Sequence, residues 1–250
     1  MRQRMTIVAG QSNAMGVYGG PRKFIETDAD QEIGISWRHF STSDGVVPLQ
    51  LQRVRDPGPH NSGLPSHGFG PELSLARTLH ATAEADERVL IVKHAVDGSN
   101  LHEQWKAPGG PLFMSLVTHV QSVRSDLTAS GADVTIDGLL WVQGESDAGE
   151  SAHHYEENLR RFFTGLREAL PAPSMAIVVS RVHLPFAPEP GRSIVRDAQV
   201  QVAEDDANAR HIDTDDLPLD RPGIHLTGEG LLELGVRAAD AFIQLRAAGI

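Results

Sequence analysis

The chain has 250 residues, 40% of them hydrophobic and 22% charged, enough for one large domain or two small ones at roughly 100–200 residues each. It carries no cysteine, which removes thiol nucleophiles, thiolate zinc sites and iron–sulfur clusters together. Its 22 Lys and Arg against 33 Asp and Glu give a formal charge of -11, which argues against nucleic acid and anionic membranes as partners. No apolar run approaches the ~18–20 residues of a membrane span, and the run at 5–9 is too short for a signal-peptide core. Read as it stands, the N-terminus predicts a cytoplasmic protein, or a secreted one if a leader precedes it.

The first predicted strand covers residues 5–9. Residues 17–68 follow, rich in Gly, Pro, His and Asp, with short strands conceivable at 33–40 and 46–51. That stretch is too long for an ordinary connection and is expected to be an irregular insertion folded over the sheet's edge. A helix is predicted at 71–85 and a strand at 89–95. Over Pro111–Ala129, Phe113, Leu116, Val117, Val120 and Val123 recur at helical spacing, with Pro111 suited to the first turn and Gly131 to a stop. Then come a strand at 136–142, a helix at 152–170, a strand at 175–180, a helix at 194–207 and a weaker strand at 210–213. The last helix, Gly228–Ala247, has Thr227 as its N-cap. This alternation predicts an α/β fold, a three-layer α/β/α sandwich around a five-stranded parallel sheet.

Ligands of such sheets bind beyond the carboxyl ends of the strands, so the residues after each strand matter most. They are Gly10-Gln11-Ser12-Asn13-Ala14-Met15-Gly16, Asp97-Gly98-Ser99-Asn100, Trp141-Val142-Gln143-Gly144-Glu145-Ser146-Asp147, Arg181-Val182-His183, and Asp213 to Asp220 followed by Gly223-Ile224-His225-Leu226. Ser12, in a turn between strand and helix, suits a nucleophile and equally suits a helix cap. His225 is the candidate base, with His183 its rival or a substrate contact. Gly98 offers a backbone N–H and Gln143 a carboxamide, each worth about 2.7–4 kcal/mol if aimed at an oxyanion. A plain turn and a satisfied core amide explain the same two residues.

These blocks, with Phe69-Gly70-Pro71-Glu72, Trp105 and Ile224-His225-Leu226-Thr227-Gly228-Glu229-Gly230, resemble the SGNH-hydrolase superfamily. The closer resemblance is to its sialate O-acetylesterase and acetylxylan esterase branch, carbohydrate esterase family six. It runs in order along nearly the whole chain. It implies a flavodoxin-like fold and a single esterase domain over 1–250. It also implies a serine nucleophile at Ser12, a base at His225, and an oxyanion hole of the Ser12 and Gly98 amides with the Gln143 side chain. Asn13 and His183 are expected at the substrate, an acetyl ester of a small molecule or polysaccharide.

Two departures stand out. Asp97 replaces the usual first Gly of the second block and is expected to point away from the hole. Gly223 and Pro222 stand where the family places an Asp before the histidine, so the orienting acid is sought in Asp220, with Glu145 as alternative or a Ser–His dyad without an acid. No nucleotide loop, dinucleotide fingerprint or H-E-x-x-H motif is present, so no cofactor or metal is expected. Besides a carbohydrate O-acetylesterase, the sequence admits a general short-chain ester hydrolase or a non-catalytic glycan-binding module.

Overall fold

The computed structural model describes residues 1–39, 42–43, 45–54, 66–220 and 223–249. Five parallel strands form where the apolar runs predict them. They are β1 (Arg2–Gly10), β7 (Glu87–Ala95), β8 (Asp133–Val142), β9 (Ala176–Ser180) and β10 (Ala209–Ile212). Between β1 and β7 lie β2 (Gly34–His39), β3 (Thr42–Ser43), β4 (Val47–Pro48), β5 (Gln52–Arg53) and β6 (His67–Gly68). The helices are α1 (Ser12–Met15), α2 (Glu72–Ala81), α3 (Pro111–Ala129), α4 (Tyr155–Ala169), α5 (Gly191–Glu204) and α6 (Gly228–Ala247). Among the described residues, no helix is long and apolar enough to cross a membrane.

The main sheet corrects the expected five strands. Its order is β10-β9-β8-β1-β7-β2-β3, with β4 pairing β2 off that path. The sixth parallel strand, β2, extends β7 in register Gly34↔Leu90 to Arg38↔His94, and β3 and β4 run antiparallel to it. Within the segment expected as an irregular insertion, the conceivable strands at 33–40 and 46–51 therefore form as β2 and β4 and widen the sheet. Gly34, Ser36, Arg38 and His39 interrupt the apolar pattern of β2, which is why it reads weakly as a strand. Residues 55–65 of that segment, His60 included, lie outside the described residues.

Near-continuous apolar runs form these strands because both sheet faces are covered. In β1, Met5, Ile7 and Ala9 join the core under α3, α4 and α5, while Val8 joins the core under α2 and α6. Phe113, Leu116 and Val120 of α3 and Leu159, Phe162 and Leu166 of α4 fill the first layer. Leu73, Leu75 and Leu79 of α2 and Leu231, Leu234 and Phe242 of α6 fill the other. Thr227 caps α6 by accepting from Gly230 N at 3.3 Å. Trp37 is buried in this second core, packed beneath Lys93 Nζ at 4.4 Å.

A polar cluster lies between β2, β7 and α3. Ser36 Oγ and His119 Nε2 share a hydrogen bond of 2.9 Å, and His94 Nδ1 donates to the Arg38 carbonyl at 3.2 Å. Burial lowers the His94 pKa to about 4 and the His119 pKa to about 3. Unfolded, both titrate near 6.5. The unfolded chain thus binds more protons between those limits, and stability falls as pH drops below 6.5. Urea unfolding is expected to show a loss of about 2 kcal/mol per histidine between pH 6.5 and 5. A flat stability across that window would refute the neutral buried pair.

Candidate active site

Registry sets the site. Gly10 is level with Ala95 of β7 and with Val142 of β8, so Gln11-Ser12, Val96-Asp97-Gly98 and Gln143-Gly144 leave the sheet side by side. Strand order reverses here: β7 follows β1 on one side, while β8, β9 and β10 build out on the other. Such a reversal opens the crevice in which doubly wound sheets bind ligands. Gly10 has φ 144, and a Cβ there would strike the Val142 carbonyl, so only glycine lets β1 turn this tightly into α1.

Ser12 opens α1 and is 1% exposed. Its neighbour Asn13 docks the late histidine loop. Asn13 Nδ2 donates to the Ile224 carbonyl at 3.3 Å, and Leu226 N donates to Asn13 Oδ1 at 2.9 Å. Those bonds flank His225 on both sides, so two segments more than 200 residues apart meet beside Ser12. Asn13, expected to contact substrate, therefore has its side chain engaged in this docking.

Asp220 is tied to the His225 segment. Its backbone N donates to the His225 carbonyl at 2.8 Å, and its Oδ1 accepts from His225 N at 2.9 Å and Ile224 N at 3.3 Å. Its Oδ2 faces His225 Nδ1 at 3.8 Å, near enough for electrostatic attraction but beyond a hydrogen bond. Tyr18 stacks on the imidazole, ring centroids 5.1 Å apart and planes 27° from parallel. Residues 221 and 222, between Asp220 and Gly223, lie outside the described residues. Glu145 is placed elsewhere, its Oε1 accepting from Asn13 Nδ2 at 2.7 Å. Burial first, and then the charges of Asp147 and Asp97, raise its pKa above the ordinary carboxylate value.

The second block forms the opposite lip. Gly98 is exposed with φ +65, a conformation glycine adopts freely, and a Cβ there would meet open space. Asp97 is exposed. Ser99 Oγ donates to Val96 O at 2.7 Å and accepts from Trp105 Nε1 at 2.8 Å. Trp105 itself is fully buried against Trp141, so it packs behind the loop.

Gln143 differs from its expected place. It is fully buried, and its Nε2 donates toward Asp147 Oδ2 at 2.6 Å, Ser99 O at 3.1 Å and Gln11 Oε1 at 3.2 Å. Two amide hydrogens facing three acceptors leave none for an oxyanion in this arrangement. Its role here is to brace the Gly98-Ser99 turn. Asp147, unforeseen from the sequence, completes the brace by accepting from Leu101 N at 2.8 Å and His102 N at 3.2 Å. Burial raises its pKa as well. Gln11 joins the first block to the third through Gly144 N at 3.3 Å and Ser146 Oγ at 3.3 Å. An Asp four residues after the Gln was the available signal.

His183 lines a cavity of about 360 Å³ with Leu184, Glu189, Arg192, Arg196 and Asp215. In this cavity Arg196 pairs with Asp215 at 2.7 Å and Arg192 with Glu189. Among the described residues, no group of three or more His, Asp or Glu could hold a metal ion.

The family model described as carbohydrate esterase, sialic acid-specific acetylesterase, matches residues 2–244. A probable carbohydrate esterase of Arabidopsis thaliana is 27% identical over 178 residues, covering 70% of this chain and 64% of that protein. The chain thus spans less than two thirds of the length of this curated relative. The crystal structure of the same Arabidopsis protein matches with a TM-score of 0.73 over 97% of this chain and 98% of that one, at 22% identity. That of NanS matches at 0.74 over 99% and 98%, at 17% identity. A carbohydrate acetylesterase of Xanthomonas citri matches at 0.65 over 98% of this chain and 57% of its own, at 15% identity. At these identities the structural likeness speaks for a common fold.

Proposed function

The chain belongs to the sialic acid-specific acetylesterase family of carbohydrate esterases, and on that premise we propose that it removes O-acetyl groups from a carbohydrate through an acyl-enzyme on Ser12. The observation that carries this reading is the docking of Ile224 and Leu226 onto Asn13, which sets His225 beside the serine turn. The whole chain, with β2, β3 and β4 widening its sheet, acts as one esterase unit.

His225 Nε2 takes the Ser12 Oγ proton as the oxygen attacks the ester carbonyl, with Nδ1 turned toward Asp220. The Ser12 and Gly98 amides hold the tetrahedral oxyanion, and Gln143 supports them by fixing the Gly98 turn. The C–O bond to the sugar breaks, and His225 passes its proton to the departing oxygen. Water, deprotonated by His225, then releases acetate and restores Ser12. No step needs a metal or cofactor. The substrate is an acetylated xylan-type polysaccharide or an O-acetylated sialic acid.

Acetate release from acetylated xylan, O-acetylated sialic acid and ethyl acetate tests this reading. Hydrolysis of either sugar ester ahead of ethyl acetate is expected. No turnover of any, with no labelling of Ser12 by a serine-directed phosphonate, would instead mean a binding module. For the orienting acid, Asp220→Asn is expected to lower kcat by about 100-fold or more, and Glu145→Gln by less than about tenfold. The reverse ranking in steady-state kinetics would assign the acid to Glu145.

A further inference from the structure

In the proposed reaction, His225 must hand a proton to the oxygen of the departing alcohol. The alcohol half of the ester therefore lies within a hydrogen bond of the imidazole. Side chains at the outer rim beside His225 touch that half, whereas those beside Gly98 face the acyl oxygen. The chemistry of the rim thus selects the alcohol.

Two apolar side chains stand on that rim. Ile224, directly before His225, is 42% exposed. Phe186, on the loop after β9, lies against Gly223, two residues before His225, its Cε2 and Cδ2 being 2.8 and 3.1 Å from where a Cβ on that glycine would be. At 80% exposure it is the most exposed of the large hydrophobic side chains described. Leaving an apolar ring in water costs about 25 cal/mol per Å², and a phenylalanine has no polar tip to offset that cost. The ring is seated against the glycine turn that leads into the base.

We propose that Phe186 and Ile224 form the subsite for the sugar ring of the departing alcohol, the aromatic face receiving the C–H face of a pyranose. This rests on the carbohydrate esterase reading above. A pyranose fits because one of its faces is lined with C–H groups, while its hydroxyls lie at the edge and stay in water. A short alkyl alcohol such as ethanol covers almost none of the ring.

The test compares an O-acetylated methyl xyloside with ethyl acetate on wild type, Phe186→Ala and Phe186→Trp. With Phe186→Ala, the ratio of kcat/KM for the xyloside ester to that for ethyl acetate is expected to fall about tenfold, the loss lying in KM for the sugar. Phe186→Trp is expected to restore it. An unchanged ratio in an enzyme that cleaves both esters overturns the subsite and leaves the esterase reading intact. A wild type that cleaves ethyl acetate but neither the xyloside ester nor an O-acetylated sialic acid overturns both. Since Phe186 is exposed, an unchanged thermal midpoint separates these results from misfolding.

Discussion

Replacing Ser12 with alanine is expected to lower kcat/KM for an acetate ester by about 10^4-fold or more, with binding of the acetylated sugar largely kept. The magnitude follows from the way a nucleophile and its base act as one unit, so that removing either forfeits the covalent path. Position supports Ser12 as the residue concerned. It is the first residue of a helix that starts directly beyond the central strand, whose last residue Gly10 is paired with Ala95 and Val142, the residues from which the Gly98 and Gln143 segments leave the sheet. The comparison to make is initial rates of acetate release at matched concentrations of folded protein. Retention of activity within a few fold would remove Ser12 from the chemistry and with it the acyl-enzyme. His225→Ala should match this loss, and the double variant should lose little more.

The second large effect is on stability. Lys93 points from the middle of β7 into the core and is fully buried, its Nζ 2.7 Å from Glu72 Oε2 and donating to Met15 O at 3.0 Å. Glu72 Oε1 in turn accepts from Gly70 N at 2.8 Å. The pair thus ties the end of the serine turn to the start of α2. Burial lowers the Lys93 pKa, and the Glu72 carboxylate opposes that shift. Glu72→Gln leaves an ammonium stranded in the core and is expected to cost about 3–5 kcal/mol, whereas Lys93→Met with Glu72→Leu should cost much less. Chemical denaturation of both variants decides this. Equal losses would show that the pair matters for its shape, not for its charge.

Much of the fold is legible in the chain because buried parallel strands and amphipathic helices leave strong local patterns. Residues 89–95 form a strand and Pro111–Ala129 a helix as their spacing predicts. α2 ends at Ala81, earlier than its apolar spacing suggested, with the chain turning at Thr82. Strand β2, conceivable at 33–40 from the sequence, reads only weakly because half its positions are polar, and the partner of Ser36 comes only with the fold. Ser36 meets His119 of α3, 83 residues away. Lys93 carried a signal of its own, a lone charge inside an apolar run, but nothing local identifies Glu72 as its partner.

By itself the sequence determined the fold class and the blocks that follow each strand, since these rest on local periodicity, while the roles expected of Ser12 and His225 came from the family resemblance of those blocks. Tertiary structure alone decided which of those residues face one another. Asp220 Oδ2 comes to 3.8 Å from the imidazole because its other carboxylate oxygen accepts the backbone N–H groups of Ile224 and His225, a contact that spacing alone does not show. Gln143 faces inward because Asp147, Ser99 and Gln11 converge on its amide, and a buried donor goes to the acceptors the fold brings within reach. The opening composition, free of cysteine, excludes thiol chemistry and goes no further. The partners of each side chain, which set its charge and direction, come from strands and loops far apart in the chain.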